Sequence, residues 1–141
     1  MFIDIVHVGI KRRRKKLDFI ENKYVVAVAR TALVLIYFMG GFSLLTGNAP
    51  VEFAATKGVP AIAVYAGYAI KLFGGLAVII GFQTRIAALL LVLFTIGTAF
   101  IFHGDFGGVF WKEISMIGGL LLVAAYGPGE FSVDARRASG G

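Results

Sequence analysis

Cysteine is absent from this chain, acidic residues number eight and histidines two, and only 16% of the 141 residues are charged. Without cysteine there are no disulfides, thiolate metal sites or cysteine nucleophiles. No metal-ligand spacing, catalytic triad or phosphate loop occurs, so no catalytic residue and no metal site can be named and nothing marks a self-contained enzyme. The shortage of charge excludes more. Soluble domains run about 25% charged and about 45–50% apolar. Here 58% of residues are hydrophobic, which leaves too little polar surface to cover a soluble globule of this length. The chain reads as an integral membrane protein, with room for one small bundle and no separate soluble domain.

Four apolar stretches follow one another: Tyr24–Leu45, Ala61–Phe82, Ile86–His103 and Phe110–Tyr126. Each approaches the roughly 17–25 residues a helix needs to cross a hydrocarbon core about 30 Å thick. The runs are continuous rather than alternating and far exceed a barrel strand of roughly 10 residues. The expected fold is therefore an all-α bundle of four transmembrane helices over residues 24–129, between a basic N-terminal segment (1–23) and a tail (130–141). Breakers separate the spans, among them Gly58-Val59-Pro60, and Pro60 suits the first turn of the second helix. The two histidines, His7 and His103, then fall on opposite sides of the membrane, so no bis-histidine haem can be built between the helices.

Orientation follows from the cations. Lys11, Arg12, Arg13, Arg14, Lys15 and Lys16, with Lys23, Arg85, Arg136 and Arg137, all fall on one side of an even number of spans, against Lys57 and Lys112 on the other. The positive-inside rule places both termini in the cytoplasm. Six adjacent cations could bind nucleic acid or anionic lipid. Their position just before the first span reads instead as a topology determinant held at an anionic leaflet, so the expected partner is the bilayer and not nucleic acid. The preceding MFIDIVHVGI suits a short interfacial helix, a segment docked on a partner, or a disordered start.

One residue sits oddly. Lys71 is eleventh in its span, about 15 Å from either end at 1.5 Å per residue, and a charge there costs at least roughly 2.5–3.5 kcal/mol. Gly67, Gly74 and Gly75 stand at i−4, i+3 and i+4. Helices in lipid associate through close packing at small residues, so Lys71 faces protein. The expectation is an intramembrane polar cluster of Lys71, Glu113, Tyr68 and Ser43, weighed against a neutral lysine that merely packs. Arg30 and Tyr37 share a face of the first helix, and Trp111 opens the fourth at the interface. Arg30 either snorkels to phosphates or, with Tyr37 and Trp111, lines a pocket for a lipid or quinone.

The stretches GFSLLTG (Gly41–Gly47), ATKGVPA (Ala55–Ala61), LFGGLAVIIGFQTRIAALLL (Leu72–Leu91) and GGLLLVAAYGPGEFSVD (Gly118–Asp134) resemble the DoxX family of small bacterial membrane proteins. The resemblance runs from about Arg30 to Asp134. It implies a four-helix bundle in the bacterial plasma (inner) membrane, and relatives tied to quinone-reducing oxidoreductases or other redox assemblies. Members commonly carry a lysine and a glutamate where this chain has Leu44 and Lys71, so a role resting on that glutamate does not transfer. Two functions stay open: a non-catalytic accessory subunit of a larger respiratory or redox complex, or a quinone-linked small subunit with its pocket around Lys71. Quinone is the one cofactor in view; expected partners are other membrane subunits or further copies of the chain.

Overall fold

The computed structural model describes residues 1–9 and 22–140. The six cations Lys11 to Lys16 lie outside the described residues. Residues 2–9 form an exposed helix, α1. Seven further helices and one π turn follow: α2 Lys23–Phe42, α3 Val51–Thr56, α4 Ala61–Ala69, the π turn Ile70–Gly74, α5 Gly75–Ile80, α6 Thr84–Phe102, α7 Gly108–Tyr126 and α8 Val133–Gly140. No strand occurs among the described residues.

Four helices are long and apolar enough to cross a membrane: Lys23–Phe42, Ala61–Ile80, Thr84–Phe102 and Gly108–Tyr126. They fall where the apolar runs place them, with shifted ends. The first stops at Phe42 because the amides of Ser43, Leu44 and Leu45 bond to carbonyls three residues back, tightening the last turn. Pro60 is the N-cap of α4, one position ahead of its first turn. The short helix α3 is carried by the first loop. Ala54 is its buried residue, and Phe53 stacks on Phe102 at 5.9 Å, so α3 lies across the end of the bundle away from the termini.

The core runs along one stripe of each span and includes Val34, Tyr37, Val78, Ala88, Leu91 and Leu120. Close approach depends on glycine. A Cβ on Gly41 would lie 2.6 Å from the Leu72 Cα, and one on Gly75 would lie 3.0 Å from the Phe38 amide nitrogen. The first and second spans therefore touch backbone to backbone around the π turn, as small residues in lipid permit.

The termini end is tied by polar side chains. Asp134, from the tail, caps α6: its carboxylate accepts from the Gln83 amide (2.8 Å), the Thr84 amide (3.0 Å) and the Thr84 hydroxyl (3.0 Å). Gly81 ends α5 at φ 76° with the tail packed against it, and its carbonyl accepts from the Asp134 amide at 2.9 Å. Arg85 donates to the carbonyls of Ala124 and Ala125 at the end of α7. The TR and SVD fragments of the family-like motifs thus close one structural clasp, joining the second–third turn to the tail.

Candidate functional site

Lys71 lies inside the π turn. Such a turn adds one residue to the i→i−4 ladder, which bends the helix and re-aims its side chains, and it is frequent at functional sites. At membrane depth such a break is tolerated where it is buried in protein or lines a cavity. Both conditions hold. Behind the turn lie Gly40 and Gly41, and the lysine stem crosses the open flank of Gly40, whose Cβ would be 3.5 Å from Nζ. In front is a cavity of about 560 Å³, within the roughly 300–1,000 Å³ usual for small-molecule sites.

The Lys71 amine sits over two ring faces, 4.8 Å from the Tyr68 centroid and 5.2 Å from that of Phe94. Aromatic faces attract a cation more strongly once water is removed. No carboxylate lies within 4 Å of Nζ among the described residues. Glu113 instead faces His103, Oε2 to Nδ1 3.3 Å, with the histidine the more exposed of the pair. Neither atom has an aligned hydrogen bond. Deeper in the wall, the Tyr37 hydroxyl is 2.7 Å from Thr95 Oγ1, which lies 2.6 Å from the Leu91 carbonyl. A threonine hydroxyl has one proton and that carbonyl can only accept, so Tyr37 is the donor to Thr95. Its oxygen keeps acceptor capacity at the cavity wall.

The cavity therefore gathers Lys71, Tyr68, Glu113 and Tyr37 from the expected residues, and adds His103, Thr95 and Lys112. Ser43 ends α2 and does not line it. Trp111 is exposed, packs edge-on against Phe110 at 5.5 Å, and does not line it either. Arg30 is at the other end of the bundle, 4% exposed, giving its guanidinium to the carbonyls of Pro128, Ile79 (3.0 Å) and Phe131 (3.0 Å). It thus neither snorkels nor shares a pocket with Tyr37 and Trp111. It borders a separate groove of about 640 Å³ along α2, α5 and the tail, whose walls are mostly apolar. One signal could have drawn His103 in: it follows the third span ten residues before Glu113, which lies in the second turn of the fourth, across a glycine-rich turn.

Donors, acceptors and aromatic faces converge on one apolar-walled space at membrane depth. That arrangement can hold a flat or carbonyl-bearing head group, with an amine to polarise its oxygen. Among the described residues no group of three or more metal-ligating side chains clusters.

The DoxX family model matches residues 25–104. The chain is 37% identical over 115 residues to inner membrane protein YqjF of Escherichia coli (strain K12), covering 77% of this chain and 88% of that one. It is 35% identical over 122 residues to inner membrane protein YphA of the same organism, covering 77% and 87%. No solved structure matches the chain.

Proposed function

The chain belongs to the DoxX family of small membrane proteins, and on that footing we propose that it is a bacterial inner-membrane protein, both termini cytoplasmic, that binds a quinone-class head group beside Lys71. The cavity that reaches this lysine carries the reading. A bundle packed solid around Lys71 would have left only a buried amine with a structural role. Here the amine faces space lined by Tyr68, Phe94 and the Tyr37 hydroxyl, which suits an aromatic ring bearing carbonyl oxygens. The ring stacks on aromatic faces, the amine donates to one oxygen, and the His103–Glu113 pair stands between the site and the nearer membrane face.

Purification in mild detergent, organic extraction and absorbance of the extract test it. Wild type is expected to carry quinone or to take up an added short-chain quinone. Lys71→Met, which removes a charged donor worth roughly 1.5–3 kcal/mol, is expected to bind about ten to a hundredfold more weakly. Wild type that neither carries nor binds quinone defeats the proposal.

A second reading, the non-catalytic accessory subunit of a redox complex, is favoured by α7. Gly118 is exposed there, and a Cβ added to it meets nothing within 4 Å. The same preparation separates the two: a stoichiometric partner chain with no quinone supports the subunit, and bound quinone on a lone chain supports the pocket.

A further inference from the structure

The second and third spans do not run together along their whole length. α6 packs beside α5 and the π turn but has few neighbours on α4. The two meet where the Phe94 ring lies on Gly67, against which an added Cβ would come within 2.8 Å. Lys71 stands at the apex of the resulting cleft. The α4 edge is cut back to Ala63, Ala66 and Gly67, and the α6 edge carries Leu93, Gly97 and Ile101. Leu93 is 67% and Ile101 49% exposed, on a helix whose exposed faces meet hydrocarbon. At Gly97 an added Cβ would find nothing within 4 Å. The other approach, from the aqueous end, is overlaid by α3, with Ala54 buried and Phe53 stacked on Phe102.

We infer that the cleft between α4 and α6 is a lateral portal, through which an amphiphile dissolved in the bilayer brings its head to Lys71 while its apolar tail stays between the two helices. This rests on the ligand reading above for the head group, but the portal is a property of the helices alone. The two helices part beyond the π turn; Ala63, Ala66 and Gly67 stand beside Val64 and Tyr68 on the α4 side of the gap, and Leu93, Gly97 and Ile101 beside Thr98 on the α6 side. A tail there contacts what it would contact in lipid, so nothing polar is stripped of water as the ligand moves in.

The absence of cysteine makes the test clean. A spin label on Gly97→Cys in lipid nanodiscs should collide with oxygen, which dissolves in the bilayer, and be shielded from a water-soluble nickel chelate. Dominance of the chelate would mean a water-filled opening and overturn the portal. In the second arm Gly97→Phe, which has space for its ring, is compared with Gly118→Phe on the exposed face of α7. Plugging the cleft should weaken binding of a decyl-tailed quinone roughly tenfold or more, with Gly118→Phe unchanged. Equal binding by both variants overturns the portal. If the label reports hydrocarbon access but wild type binds no quinone, the portal stands and the quinone assignment fails.

Discussion

Replacing Asp134 by alanine removes the acceptor that starts the third span. Its carboxylate takes three hydrogen bonds, from the amides of Gln83 and Thr84 and from the Thr84 hydroxyl, all between 2.8 and 3.0 Å. Hydrogen bonds to a charged group are worth roughly 1.5–3 kcal/mol each when buried. Three at that rate overstate the loss, because Gln83 is exposed and water can replace the carboxylate there. Helix N-caps, at about 0.5–2 kcal/mol, are the better gauge. Thr84 is fully buried and would be left without its partner, which puts the expected loss near the top of that range, about 2 kcal/mol. Asp134→Asn, which keeps one acceptor oxygen, should lose about half as much. The pH profile supplies a second readout. Desolvation opposes ionisation of Asp134, but the Thr84 and Gln83 amides, the Thr84 hydroxyl and the Arg137 charge outweigh it, so its carboxyl titrates below the ordinary range. A carboxyl depressed on folding adds stability that is complete above its unfolded pKa, about 3.9. That stability is lost as pH falls through the lower folded value. Thermal unfolding in detergent at pH values from neutral to about 3 should show an acid decline in wild type that Asp134→Asn lacks. An alanine variant as stable as wild type, or one with the same acid decline, would refute the capping argument.

Arg30→Met leaves the carbonyls of Ile79, Pro128 and Phe131 without their shared donor. At roughly 1–3 kcal/mol for a buried unsatisfied group, and with partial rehydration near the interface, the loss should be about 3 kcal/mol; earlier proteolysis of the tail than of the loops would report it. Gly41→Ala drives a methyl onto the Leu72 backbone, so it should cost roughly 1–3 kcal/mol or more by overpacking. Gly118→Ala, with open space, should gain up to about 1 kcal/mol from helix propensity alone; equal melting temperatures for the two alanine variants would contradict the close approach of Gly41 to Leu72.

The four membrane spans were legible in the residues, because each is a local matter. In lipid every backbone group must be satisfied within its own helix, so about 20 consecutive apolar residues suffice to specify a span, and the observed helices start and stop within three residues of the apolar runs. Lys71 facing inward was legible for the same reason, since its glycine neighbours sit on its own helix. The π turn at Ile70–Gly74 was not: a run of apolar residues and glycines is equally compatible with an unbroken ladder. Long-range partnerships were equally hidden. Arg30 bonds to carbonyls 49, 98 and 101 residues away, and Asp134 caps a helix that begins 50 residues earlier. Glu113, on the residue types alone, is the natural partner for the lysine; the structure gives it His103 within 4 Å, because the short turn between the third and fourth spans brings those two residues together. The sequence by itself settled how many membrane spans the chain has and that Lys71 faces protein. Which polar groups meet, and whether space remains beside Lys71 for anything else, was decided by how the helices lean on one another, a tertiary matter that no single span encodes.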